Sequence, residues 1–228
     1  MKKKIKTWLA ISALFVVGFI VMSCDAGDSA FESDYIEQDE LRFYLKKDGS
    51  GYGVEHNGKG GYGTTITIPA SVNGIPVVTI MPDAFKSCMR LTSITIPASV
   101  TSIGSSAFSN TGIINNVPEN SVAYADKWVV GYDVFGTFSD ISLRTNTVGI
   151  STSALSSRSI RSIIIPSSVL YINEKAFRSC DNLTRVTFER ANITMADNFV
   201  FPGVDLEKKY AAGGSGTYIK TGNNWAKQ

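Results

Sequence analysis

Histidine is nearly absent from this chain of 228 residues: His56 stands alone. A single imidazole cannot supply a multi-histidine zinc site, and no nucleophile motif stands beside it to form a Ser-His-Asp arrangement. Cysteine is scarce too, with only Cys24, Cys88 and Cys180, which excludes a disulfide-built scaffold. Paired carboxylates at a legible catalytic spacing are missing, so a hydrolase is disfavoured, and no enzyme activity, cofactor or metal is expected. Long apolar runs are limited to one, Trp8 to Met22, about fifteen residues against the roughly 20 that a membrane span needs.

What the chain has instead is a cassette. Its clearest copy places apolar residues at Leu91, Ile94 and Ile96, then Pro97, Val100, Ile103 and the pair Ala107-Phe108. A second copy runs Ile163, Ile165, Pro166, Val169, Ile172, Ala176 and Phe177. Anchored on the first apolar residue of each copy, Ile66, Ile94, Ile141, Ile163 and Val186 follow at steps of 28, 47, 22 and 23. The step of 47 is two periods plus one, so an eroded copy is expected between Phe108 and Ile141, with Asn115, Val117 and Pro118 at its strand. The step of 28 holds a five-residue excess, which the turn sequence Asn73-Gly74-Ile75-Pro76 absorbs.

One cassette cannot bury its own apolar face, so copies must stack and share a core. Ile-x-Ile has period two, which turns both isoleucines to one side of a short strand. The proline after it lacks an N–H and stops the ladder. The fold expected is mainly β, a short solenoid of about six 23-residue units. Phe108 and Phe177 are expected to stack in its core, with Leu155 in the same column. The outward side of the strands is a strip of short hydroxyl side chains: Thr67, Thr95, Asn116, Ser142, Ile164 and Thr187, flanked by Thr65, Ser93, Ser162 and Arg185. Threonine suits exposed strand positions in any case. As a ligand surface the expected contacts are Thr67, Thr95, Ser142, Ile164, Arg185 and Thr187, with Ile164 as apolar centre and Arg185 as the nearby cation. Short polar groups of this kind suit hydrogen bonding to a protein or glycan better than capture by charge.

Leu-Thr-Ser-Ile-Thr-Ile-Pro-Ala-Ser-Val-Thr-Ser-Ile-Gly-Ser-Ser-Ala-Phe, from Leu91 to Phe108, resembles the BspA-like leucine-rich-repeat family of bacteria. The resemblance covers roughly residues 64 to 188. The stretch from Asn73 to Val77 is similar to the first repeat of many members, and the tail from Leu206 to Trp225 resembles a terminal module of such lipoproteins. The resemblance implies a cell-surface or secreted adhesin-like protein that binds host matrix proteins or another bacterium.

The ends carry their own signals. Lys2, Lys3, Lys4 and Lys6 precede the apolar run, which suits a signal peptide over residues 1–23. Val21-Met22-Ser23-Cys24 resembles a lipobox, which makes Cys24 the expected lipid attachment point and the membrane a partner through that anchor. Simple secretion and an uncleaved anchor are the alternatives, and all three put the solenoid outside the cytoplasm. The whole chain has 22 bases against 20 acids; losing the four leader lysines leaves 18 against 20, so its basic character comes from the leader and no nucleic-acid partner is expected. Seven acids and no base lie between Asp25 and Glu40, which suits a solvated tether over residues 24–40. The solenoid, with its N-terminal cap, is expected over 41–205, interrupted by a strand pair near 128–141, and a helix and hairpin cap over 206–228. Asp205 is the expected N-cap of that helix.

Two further patterns have bland readings. Gly58 to Gly63 matches G-x-G-x-x-G but leads into a strand, whereas phosphate binding needs a helix N-terminus there. Cys88 and Cys180 occupy the same place in two copies about four strands apart, near 19 Å, too far for a disulfide and suited to separate buried thiols. A structural envelope or periplasmic scaffold with no external ligand is the alternative to a binding module.

Overall fold

The computed structural model describes residues 30–58, 63–133, 139–157, 159–196, 200–203 and 205–228. The leader and Cys24 lie outside the described residues. The first described element is a strand, β1 (Phe31–Gln38), paired antiparallel with β2 (Leu41–Lys46), which pairs antiparallel with β3 (Tyr52–His56). The acidic tether expected over 24–40 is therefore a strand from Phe31 onward. Tyr35 is buried 5.4 Å from the Tyr44 ring, with the Arg42 guanidinium over the Tyr35 ring at 4.9 Å, while Glu32 and Asp34 face water. One buried aromatic seats the strand, and the charges sit where an edge strand resists pairing with another chain.

The repeats then wind as coils with a strand on each of two sides. Front strands are β4 (Thr65–Thr67), β7 (Ser93–Thr95), β11 (Asp140–Ser142), β13 (Ser162–Ile165) and β15 (Arg185–Phe188). Their anchors stack in parallel register, Ile66 on Ile94, Ile141 on Ile163 and Ile163 on Val186. The second side begins with β5 (Ser71–Val72) and β6 (Ile75–Ile80), a hairpin whose turn residues Asn73 and Gly74 both have positive φ, as a two-residue loop of this kind requires. It continues through β8 (Ser102–Ile103), β12 (Gly149–Ile150), β14 (Tyr171–Ile172) and β16 (Thr194–Met195). The N-terminal cap joins this second side, through β3 on β6.

After each second-side strand the chain turns through a left-handed residue, Asp83, Ser106, Ser153 or Lys175, into the Ala-Phe or Ala-Leu pair. The amides there reach the next coil: Phe85 N–H to Ala107 O at 2.8 Å, Leu155 N–H to Ala176 O at 2.8 Å and Phe177 N–H to Val200 O at 2.9 Å. The aromatic column follows, with Phe85 stacked on Phe108 at 5.4 Å and Phe177 on Phe201 at 4.6 Å, and Leu155 fully buried in the same column. A helix, α2 (Leu206–Gly213), and the hairpin β17 (Gly216–Thr221) and β18 (Asn224–Lys227) close the last coil, burying Tyr210, Tyr218 and Trp225. Asp205 precedes the helix but makes no capping bond with its side chain; Glu207 instead accepts from Phe201 N–H at 2.9 Å.

The middle of the array is where the expected regularity gives way. In place of the eroded copy's strand stands the short helix α1 (Gly112–Asn115), because Thr111 Oγ1 takes the Ile114 N–H and starts a helical turn. Asn116 is its C-cap and not a member of the strip. A strand pair does interrupt the coils, but the partner of β10 (Trp128–Tyr132) is β9 (Val122–Ala125), just before it, and not the Ile141 stretch. The buried apolar residues accordingly fall into two clusters, one ending at Trp128 and the other beginning at Val129. At their seam the Asn173 carboxamide accepts from Ile103 N–H at 2.9 Å and donates to Thr101 O at 3.3 Å, while Thr152 N–H reaches Ile103 O at 3.0 Å. Trp128 lies over Gly149, where a Cβ would sit 2.4 Å from the ring, and stacks on Tyr171 at 6.0 Å.

Candidate functional site on the sheet face

The front strands present one row of outward residues in register. Thr67 lies beside Thr95 on β4 and β7, and Ser142, Ile164 and Thr187 lie side by side on β11, β13 and β15. Thr67, Thr95, Ser142 and Ile164 are exposed. Ile164, 41% exposed, is one of two large apolar residues so exposed among the described residues, the other being Met89 at 63%. Thr187 is half-buried, and its hydroxyl lies 3.0 Å from that of Thr217 on the C-terminal hairpin. Arg185 sits one row below, in register with Ser162 and Asp140. The strip is thus two patches, Thr67 with Thr95 and Ser142 with Ile164, Thr187 and Arg185, separated by the interruption.

Several residues at the interruption were not visible as a site in the sequence. β9 ends the second-side sheet beyond β10, with Ala123 and Ala125 buried and Val122 and Tyr124 half-buried against the core. Between it and β11 lies a cavity of about 280 Å³, lined by residues of 120–124 and 140–144. Arg144 stacks its guanidinium 4.0 Å from the Tyr124 ring centre, and its backbone N–H donates to Tyr124 Oη at 3.0 Å. Asp140 accepts from the hydroxyls of Ser162 and Ser139, which hold its carboxyl below the usual carboxylate range, with Arg161 and Arg185 adding to the effect. Arg185 is therefore not the only cation: Arg144 and Arg161 stand on the same face, contributed by residues that flank the strands, outside the Ile-x-Ile spacing.

Elsewhere the chemistry is modest. His56 Nδ1 accepts from Gly58 N–H at 2.9 Å, and burial keeps its pKa below the ordinary value. Gly63, the end of the glycine-rich string, leads into the strand β4 and not into a helix. Cys88 and Cys180 are buried and not bridged, and burial pushes each thiol up to about 11. Among the described residues no cluster of His, Cys, Asp or Glu could hold a metal ion, and no helix is long and apolar enough to cross a membrane.

The family model described as the BspA type leucine rich repeat region matches residues 62–130 and 129–221, in six copies. No curated protein matches the chain. Among solved structures, a leucine-rich repeat protein from Bacteroides capillosus is 23% identical, with a TM-score of 0.37 over 68% of this chain and 98% of that one. A leucine-rich repeat protein from T. pallidum is 18% identical, with a TM-score of 0.33 over 68% and 80%. A leucine-rich cell surface protein from Faecalibacterium prausnitzii is 17% identical, with a TM-score of 0.34 over 89% and 62%.

Proposed function

The chain belongs to the BspA-type leucine-rich repeat family, and from that premise we propose that it is an extracytoplasmic binding module, adhesin-like and tethered to a bacterial membrane by lipid on Cys24. It recognises a protein or glycan of a host matrix or another bacterium through the sheet face, on the patch of Ser142, Ile164 and Arg185. The observation that carries this reading is the row of exposed short side chains around Ile164 on otherwise regular strands. An exposed isoleucine ringed by serine, threonine and arginine offers an apolar contact with a polar rim, the arrangement that protein interfaces favour. Thr67 and Thr95 extend the same surface beyond the interruption. The leader supports the location, since its short apolar run ends at a lipobox-like sequence.

The test uses intact cells carrying the full chain. Thr95→Lys, Ile164→Lys and Ser142→Lys together are expected to abolish capture of the partner while leaving the melting temperature within about 2 °C of wild type, because all three side chains face water. Thr187 is left alone to preserve its contact with Thr217. Unchanged capture by the triple variant, or protection of the chain from protease added to intact cells, would contradict a surface receptor and favour a periplasmic scaffold.

A further inference from the structure

We propose that the gap between β9 and β11 receives an extended, acidic peptide segment of a partner protein, which adds as a strand to the open edge of β11. This rests on the sheet face being the binding surface and specifies what binds there. Among the described residues β11 ends its sheet, pairing with β13 alone, and β9 pairs with β10 alone. Leu143 N–H points toward Ile164 O, so alternation along the strand turns the N–H groups of Ser142 and Arg144 toward the gap. The second of these has found an acceptor there. Tyr124 Oη stands 3.0 Å from Arg144 N, in the position a carbonyl of a neighbouring strand would take. Ser142 is the preceding outward position on that edge, and it opens onto the 280 Å³ cavity.

The charges select the side chains. Arg144 lines the cavity with Asp140, near which Arg161 and Arg185 also lie; Asp140 is already engaged by two serine hydroxyls, and Asp133, at the other end, by the Asn120 N–H. Arg144 is held in place by its stacking on Tyr124, so little freedom is lost when it meets an anion. Strand addition gives affinity through main-chain bonds and selectivity through alternate side chains. Every second side chain of an added strand would share the outward face with these arginines, and acidic residues at those positions meet them.

Fluorescence anisotropy on the mature chain tests this, with a labelled hexapeptide alternating threonine and glutamate. Saturable binding is expected, at least tenfold weaker for Arg144→Glu and for Ser142→Pro. The proline removes an N–H that faces the gap and spares the bond from Leu143 to Ile164. A peptide N-methylated at alternate nitrogens is expected not to bind. Equal binding of the N-methylated peptide, or unchanged binding by both variants, would overturn strand addition. Binding of an oligogalacturonate in the same gap without binding of the peptide would overturn the peptide in favour of an anionic glycan. If no peptide binds while the triple lysine variant still loses capture on cells, strand addition fails and the sheet-face reading stands; if the triple variant keeps capture, the sheet-face reading itself fails.

Discussion

Phe177→Ala is expected to destabilise the fold by about 3–5 kcal/mol and to lower the melting temperature by roughly 6–20 °C. Phe177 has no accessible surface, and its ring stacks 4.6 Å from that of Phe201 at an interplanar angle of 6°. Its own N–H is tied to Val200 O, so the backbone cannot readily collapse into the space an alanine would leave. The loss is felt on both sides of the column, because Leu155 belongs to the preceding coil and Phe201 leads into the C-terminal helix. Phe177→Leu is the informative companion. Leucine already fills this column at residue 155, so that variant should lose only about 1 kcal/mol. Thermal and urea unfolding of the two variants measure both numbers, and equal losses would mean that the column is not a shared core.

Asn173→Leu is the second large effect, expected to cost about 2–5 kcal/mol although leucine shares the branched shape of asparagine. The carboxamide serves the N–H of Ile103 in β8 and the carbonyl of Thr101 just before it at once, and the buried Ile103 N–H gains no substitute when it goes. Leaving the Ile103 N–H without a partner at a buried seam costs more than the apolar side chain returns. The site also predicts where the damage appears. Hydrogen exchange at the Ile103 amide should accelerate by orders of magnitude, while that of Phe177, in the coil beyond, should follow global stability only. An Asn173→Leu variant as stable as wild type would mean that the two core clusters do not depend on this bridge.

Much of the solenoid was legible because its signal is repeated. Ile66, Ile94, Ile141, Ile163 and Val186 read as anchors from spacing alone, and they do stack rung on rung. Repetition failed as a guide where the chain stops repeating. Arithmetic placed a strand at Asn115 to Pro118, yet a capping threonine at residue 111 made a helical turn, a local bond that outweighed a distant period. The strand Trp128–Tyr132 is recognisable in the sequence but its partner is not, because Asp126, with φ of 53°, turns the chain back onto the residues just before it. The stretch before residue 40 departs from a tether for a related reason. Seven acids dominate its composition, while a single buried aromatic, Tyr35, seats β1.

The site was legible in outline only. Reading the residue between paired isoleucines places Ser142 and Ile164 on the outward side, which the strand period fixes. Arg144 and Arg161 fall just outside the strands, and Tyr124 arrives with the insertion, so no spacing within the repeat could have placed them together. The strip of short hydroxyl side chains gains basic neighbours because Arg144 lines the gap and Arg161 and Arg185 lie near Asp140.

The most direct test of the account is whether neighbouring coils hold the register that builds this face. Ser142→Cys with Ile164→Cys places two thiols on adjacent, in-register strands about 4.8 Å apart, within reach of a disulfide. Ser142→Cys with Thr187→Cys places them two rungs apart, at about 9.6 Å, beyond it. Mild oxidation followed by mass spectrometry should find the intramolecular bond in the first pair and none in the second. A bond in the second pair, or free thiols in the first, would contradict the stacked register on which the sheet face and its gap depend.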